Sequence, residues 1–356
     1  MKENNYLTHG IHPYHAKFIP DIPKEFITKY SKEGDCVLDP FCGSGTTLLE
    51  SLLLKRNSVG VDLNNIAYKI SLAKISKIDV NKLDNYFNYI IGEIETLKIY
   101  DKVEFTNKDI WYDSAVLEIL DKLFFIIKKI DNDIYRNIFE VIFSSILKTV
   151  SNKRAVWNNG YIADNILPNI KYTGDTLKVF INKYKNVRKS YIELSEILKD
   201  NNYTSLVYLM NILDFNPNHK FDLVVTSPPY PFAVDFVKYN RLTYYWFNWD
   251  VDAKSEEETG SRTKRNRKNA SDQFFEEMES LYKHIFGLVK VNGFFCMTVA
   301  DTHRQKQKIS FIDWLYDLFQ SNGWILEFDE IRTIKSQSMA QKRIQQEHKL
   351  VFKKVK

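Results

Sequence analysis

The sequence predicts an α/β fold, a doubly wound sheet interrupted by a mainly helical insertion. Three observations predict it. Residues 35–77 run through a strand, a glycine loop, a helix, a second strand and a second helix, the repeating unit of an open parallel sheet. Residues 204–354 return to short apolar runs ended by Gly, Pro or Asp. Between them, residues 80–200 carry apolar residues at helical spacing and few strand signals.

Taken in order, residues 9–23 (HGIHPYHAKFIPDIP) hold three prolines that discourage regular helix, and residues 24–31 then read as a helix. Gly34 and Asp35 turn the chain into a short buried strand at 36–38, and after a loop a helix begins at Thr46 or Thr47. A second strand ends at Asp62, and residues 65–77 have helical spacing. Within the insertion that spacing recurs over 83–97, 114–130, 134–150 and 175–199, around a polar loop with Trp157 and Tyr161. Strands follow at 204–211, 223–225, 294–301, 324–331 and 348–354, with helices over 273–289 and 310–321. Residues 254–272 are so highly charged that they read as a mobile stretch. On this basis residues 1–79 and 206–356 form one discontinuous catalytic domain. Residues 80–205 are the insertion and a candidate target-recognition region.

Composition narrows the function classes. The 44% of hydrophobic residues in a 356-residue chain suffices for a sizeable core, and 27% charged residues argues against a disordered chain. The net charge of +5 suits an enzyme with one basic face and does not by itself name a polyanionic partner. Cys36, Cys42 and Cys296 form neither a disulfide framework nor a zinc pattern, which fits a reducing cytoplasm and a metal-free site. The opening MKENNYLTHG has no apolar signal region, and no apolar run is long enough to span a bilayer.

Two motifs carry chemistry. The first is Asp39-Pro40-Phe41-Cys42-Gly43-Ser44-Gly45-Thr46. Its glycines let a loop at the carboxyl end of a strand approach a bulky ligand. It is neither the GxGxxG dinucleotide pattern, since Leu48 stands where the third glycine would be, nor a P-loop. Asp62 at the next strand end can accept both hydroxyls of a ribose, so a nucleoside ligand fits better than a plain helix cap. The second motif is Thr226-Ser227-Pro228-Pro229-Tyr230. Two prolines fix the backbone and remove two N–H donors. The Ser hydroxyl and the carbonyls remain as acceptors beside an aromatic face. That combination suits an exocyclic amino group on a flat base.

DPFCGSGTT and TSPPY resemble motifs I and IV of the amino-type DNA methyltransferases, the family that modifies cytosine N4 or adenine N6, in its TSPPY-type members. HPYHAKFIP resembles motif X of the same family. The likeness covers roughly residues 9–75 and 206–350. It implies a Rossmann-like methyltransferase sheet and S-adenosylmethionine as the cofactor. Motif I then assigns Asp39, Phe41, Gly43, Gly45 and Thr46 to the methionine part, Asp62 to the ribose and Leu63 to the adenine. Motif X contributes Tyr14 and Lys17, the latter either paired with the cofactor carboxylate or simply a surface lysine. The family's acid near the adenine amino group has no clear counterpart; Asn211 or Asp214 would supply that contact.

The resemblance also implies the chemistry. Ser227 and the Pro228 carbonyl would accept from the amino group, Pro229 would stiffen the turn, and Tyr230 would stack on a base flipped out of the duplex. Cytosine C5 chemistry is disfavoured, because it needs a thiolate in the catalytic loop, whereas Cys42 lies in the cofactor loop and Cys36 and Cys296 lie in apolar strands. Ser rather than Asp or Asn at position 227 favours cytosine N4 over adenine N6. Double-stranded DNA is the expected partner, in a cytoplasmic, nucleoid-associated setting and with a restriction endonuclease as a possible companion. Arg262, Lys264, Arg265, Arg267 and Lys268 form the densest basic cluster. They either track phosphates or are balanced by Glu256, Glu257 and Glu258. Arg332, Lys335, Lys342 and Arg343 form a second basic stretch, and Tyr244, Tyr245, Trp246, Phe247 and Trp249 an aromatic run that is mostly core. The rivals are an RNA guanine-N2 methyltransferase, which usually adds an N-terminal module for which the first 34 residues leave no room, a non-catalytic DNA-binding protein, and a nicotinamide-dependent oxidoreductase.

Overall fold

The computed structural model describes residues 5–153, 168–304, 307–333 and 346–356. Trp157, Tyr161, Lys335, Lys342 and Arg343 lie outside the described residues. The chain divides into two compact units, one of residues 16–71, 201–236 and 254–356 and one of residues 1–15, 72–200 and 237–253.

The first unit is built on a seven-stranded sheet. Its strands are β1 Cys36–Asp39, β2 Asn57–Asp62, β3 Ser205–Leu209, β4 Phe221–Thr226, β5 Val289–Val299, β8 Trp324–Thr333 and β9 Gln346–Lys354; β6 Thr302–Arg304 and β7 Gln307–Ile309 form a separate hairpin. The order across the sheet is β3-β2-β1-β4-β5-β9-β8. Strands β3, β2, β1, β4 and β5 are parallel, and β9 pairs antiparallel to both β5 and β8. The direction of winding reverses between β1 and β4, the place where open α/β sheets bind ligands.

Alternation along the central strands decides which side chains go to which face. Leu38, Val224, Phe295, Met297, Leu350 and Phe352 face one way and join helices Ala270–Leu288 and Phe311–Ser321. Val37, Leu223, Val225, Cys296 and Val351 face the other way and meet helix Asp21–Tyr30 through Ile22, Phe26 and Ile27. In helix Phe311–Ser321 the residues Phe311, Leu315 and Phe319 are four apart and fully buried. Each such side chain contributes about 1.5–3 kcal/mol of burial.

The second unit is helical, with Val80–Thr96, Ser114–Lys128, Asp133–Leu147 and Thr176–Ile197 as its long elements. Asp133–Leu147 is buried nearly all round and so lies inside. The unit differs from the predicted insertion in taking in residues 1–15, 72–79 and 237–253 and in leaving out residues 201–205. Hydrogen bonds explain the first segment: Thr8 Oγ1 donates to the Lys74 carbonyl at 2.8 Å, Lys183 Nζ to the Gly10 carbonyl at 3.1 Å, and His12 Nε2 lies 3.0 Å from Ser144 Oγ. Apolar packing explains residues 237–253. Trp246 is fully buried among Phe105, Tyr112, Phe124 and Phe143, with ring centroids 5.3–6.0 Å apart. Of the aromatic run 244–249, Tyr244 and Trp246 are core of the helical unit, whereas Tyr245, Phe247 and Trp249 are half-buried. Among the described residues no helix is long and apolar enough to cross a membrane.

Candidate functional site

Three parallel strands of the sheet unit end side by side, and each end carries one piece of a motif. Asp39 closes β1, Asp62 closes β2, and Ser227 follows Thr226 at the end of β4. The strand ending in Asp39 is one residue longer than its apolar run suggested, which makes this carboxyl part of the sheet.

The loop after β1 is shaped by glycine. Gly43 and Gly45 have φ of 50° and 72°, in the left-handed region that favours glycine. A Cβ on Gly45 would stand 2.8–3.0 Å from Ser71, so helix Thr46–Leu53 starts here only because the position is bare. Several loop amides are already bonded: Cys42 N donates to the Val61 carbonyl at 3.1 Å, Gly43 N to Asp62 Oδ2 at 2.7 Å and Gly45 N to the Cys42 carbonyl at 2.7 Å. A phosphate cradle needs such amides free, which argues against the oxidoreductase rival.

The two carboxyls are unusual. Asp39 is 2% exposed, and Phe41 N donates to it at 3.3 Å. Burial pushes its pKa up to about 7, against the pull of the Thr47 and Thr226 hydroxyls and the Phe41 amide. Asp62 is raised to about 6 by burial, although Asn64 N at 2.8 Å and Gly43 N favour its charged form. No side-chain cation pairs with either among the described residues. Close by in the chain, Thr46 Oγ1 and Asn64 Nδ2 are buried without a hydrogen-bond partner. A buried carboxyl and a half-buried one, neither paired with a cation, together with orphaned polar atoms mark a site short of a polar, positively charged ligand. S-adenosylmethionine carries an ammonium, a sulfonium and a ribose, so these residues fit it.

The other residues expected at the cofactor divide. Phe41 and Leu63 are half-buried on the loops after β1 and β2. Lys17 is half-buried in the sheet unit with its pKa lowered by burial, whereas Tyr14 belongs to the helical unit. The Asn211 side-chain oxygen accepts from Leu213 N at 3.0 Å and caps the short 3-10 helix Ile212–Asp214. Asp214 is exposed.

The second motif has partners that the sequence did not reveal. Tyr230 Oη donates to Glu347 Oε1 at 2.6 Å, and Glu347 Oε2 lies 2.8 Å from Arg332 Nη2. The Pro231 carbonyl accepts from Thr302 Oγ1 at 2.8 Å. Phe232 N donates to the Gly260 carbonyl at 2.8 Å, and Arg262 N to the Val234 carbonyl at 3.4 Å. Buried Asp235 accepts from Thr263 N at 2.8 Å and from Ser261 Oγ.

These bonds correct one expectation. Residues 254–272 are not an irregular stretch: they contain the end of helix Val251–Glu257, the 3-10 helix Arg262–Asn266 and the start of Ala270–Leu288. The physical reason is the Asp235 clasp together with Glu256, whose carboxylate pairs with Arg267 and whose carbonyl accepts from Lys264 Nζ at 2.6 Å. Arg262, Lys264, Arg265, Arg267 and Lys268 are therefore held on a turn hydrogen-bonded to the segment that follows Tyr230. Glu256 balances part of the cluster, as its composition allowed.

Residues 1–73 match the N6/N4 methyltransferase family model, described as DNA methylase. The chain is 30% identical over 271 residues to the type II methyltransferase M.MvaI of Kocuria varians, covering 69% of this chain and 59% of that protein. It is 24% identical to the type II methyltransferase M.MjaII of Methanocaldococcus jannaschii, over 77% of this chain and 68% of that one. To M.BsoBI of Geobacillus stearothermophilus it is 25% identical over 69% of this chain and 54% of that one. The chain thus spans about half to two thirds of the length of these relatives.

Proposed function

The chain belongs to the amino-type DNA methyltransferase family, whose methyl donor is S-adenosylmethionine, and from that premise we propose that it methylates an exocyclic amino group of a base in DNA at a specific site, cytosine N4 first. The observation that carries the proposal is the meeting of both motifs at the carboxyl ends of adjacent strands, with Asp39 and Asp62 on one side and Ser227 on the other.

Asp39 and Asp62 bind and orient the cofactor: Asp62 accepts from the ribose hydroxyls while its amide bonds hold the glycine loop. When bound, S-adenosylmethionine supplies an electrophilic methyl on a cationic sulfur. The lone pair of a base amino group is conjugated with the ring and is a poor nucleophile. Ser227 Oγ and the Pro228 carbonyl accept its two N–H groups and draw the nitrogen toward tetrahedral geometry, which frees the lone pair. Pro228 and Pro229 keep that turn rigid, so positioning and preorganised acceptors do most of the work. Tyr230 offers its ring to the flipped base, a contact worth about 1–3 kcal/mol. The basic turn at 262–268 tracks the DNA backbone, and the helical unit reads the target sequence. A restriction endonuclease of the same specificity would be the partner.

Ser227 is the residue that favours cytosine N4. The deciding experiment is mass spectrometry of nucleosides from unmethylated DNA and, in parallel, from RNA, each incubated with the protein and methyl-labelled cofactor, with Ser227→Ala alongside. N4-methylcytosine that drops 100-fold or more in the variant, at unchanged cofactor affinity, supports the proposal; the size follows from losing one preorganised hydrogen bond. N6-methyladenine would correct the base and keep the mechanism. Label in RNA and not in DNA would refute the proposal in favour of the guanine-N2 class.

A further inference from the structure

Glu347 belongs to neither motif, yet it is the partner of Tyr230. It is 8% exposed on β9 and accepts the Tyr230 hydroxyl at 2.6 Å through one oxygen. Its other oxygen lies 2.8 Å from Arg332 Nη2, and Arg332 and Glu347 stand directly opposite each other in the β8–β9 ladder. A buried carboxylate is costly unless paired, and the arginine supplies the pairing. To hold a tyrosine in place, a neutral acceptor such as glutamine would serve as well, so the charge calls for a reason of its own.

That reason lies in what the ring faces. The Thr298 and Ser227 hydroxyls lie beside Tyr230, and burial together with the Glu347 anion keeps its phenol protonated far above neutral pH. The phenol therefore always donates, and a phenol that donates to a carboxylate has a more electron-rich ring. Methyl transfer to a neutral amino group leaves the nitrogen cationic until one of its protons passes to solvent. An electron-rich face beside the base stabilises that transient charge.

We propose that Glu347 is a positioning residue for methyl transfer, which fixes the plane of the Tyr230 ring and, as an anion neutralised by Arg332, strengthens its hold on the base as positive charge develops there. The proposal rests on the function inferred above. Arg332, at the end of β8, thereby acts through Glu347 as well as contributing a basic side chain.

The test is steady-state kinetics of the full chain on unmethylated DNA with methyl-labelled cofactor, for wild type, E347Q, Y230F and Y230F/E347Q, with cofactor affinity by calorimetry. E347Q keeps the shape and an acceptor but removes the charge. The expected result is a kcat lower by about five- to thirty-fold in E347Q, with the KM for DNA and the cofactor Kd within two-fold of wild type, and a double variant no slower than Y230F alone. Should E347Q fail to fold, Y230F, which leaves the Arg332–Glu347 pair intact, must still lose kcat at unchanged cofactor affinity. A kcat for E347Q or Y230F within two-fold of wild type overturns the proposal, as do losses that multiply in the double variant. A wild-type protein that labels no DNA overturns the functional reading along with it, whereas an active wild type with an indifferent E347Q overturns only this one.

Discussion

Cofactor binding should be linked to pH through Asp39. In the unbound protein burial lifts this carboxyl from 3.8 to about 7, so its charged form is disfavoured by about 4 kcal/mol. Asp62 is lifted to about 6 by the same cause. A cationic ligand binds the charged forms, so each carboxyl must shed a proton first. The sign follows: affinity rises with pH up to about 7 and falls below it. If both carboxyls are charged in the complex, going from pH 7.5 to 5.5 weakens binding by about 25-fold through Asp39 and about four-fold through Asp62, about 100-fold together. The ligand's own α-amine, with a pKa of about 7.7–8.0, is fully protonated at pH 5.5 and still about two-thirds protonated at pH 7.5, so it changes affinity far less than Asp39 does. Calorimetric titration with S-adenosylmethionine at half-unit steps, in two buffers of different ionisation heat, measures affinity and proton release together. Asp39→Asn should bind about ten-fold or more weakly at pH 7.5 and retain only the four-fold part of the slope. Affinity independent of pH in the wild type, or an unchanged slope in Asp39→Asn, would refute a role for Asp39 as the cation's partner.

Other perturbations read different parts of the site. Because the native state holds protons on Asp39 and Asp62 that the unfolded chain releases, stability of the unbound protein should fall as pH rises from about 4 to 7. Asp39→Asn at pH 7.5 should therefore melt higher than wild type, by about 1–3 °C for a net gain of about 1–2 kcal/mol, and differential scanning calorimetry checks this. Gly45→Ala brings a Cβ to within 3.0 Å of Ser71 at a φ of 72°; it should lower stability by about 1–3 kcal/mol and abolish cofactor binding, measured by denaturant titration and calorimetry. Replacing Arg262 and Lys264 by alanine should weaken DNA binding and reduce the slope of log affinity against log salt by about two, with cofactor affinity unchanged; an unchanged slope in a fluorescence-anisotropy titration would remove the basic turn from the DNA interface.

What could be read from the sequence was what depends on neighbours in the chain. The loop 39–46 and the acid at 62 are local patterns, and the short apolar runs at 36–38 and 223–225 suffice to mark buried strands. The Tyr230–Glu347 bond joins residues 117 apart, and nothing near Glu347 in QQEHKLVF sets it apart from a solvated strand end. The turn at 254–272 looked unstructured because its ordering group, Asp235, lies upstream among apolar residues. Residues 237–253 were assigned to the catalytic part by their place beside the second motif, but an apolar run does not say which of two cores it enters.

The position of β9 sets an order of assembly. Strands β1 to β5 pair with one another, so the cofactor end of the sheet can form from residues up to 299. The strand next to β5, however, begins only at Gln346. Until it arrives, the apolar run Phe294–Val299 lies along an open edge, the kind that recruits other chains. Chain closure of this sort, between segments far apart in sequence, is slow. The same late strand delivers Glu347, so the acceptor of the Tyr230 hydroxyl is among the last groups in place. A polypeptide halted before Gln346 would be both aggregation-prone and without the acceptor of the Tyr230 hydroxyl, so the closing of the sheet also completes the surroundings of the second motif.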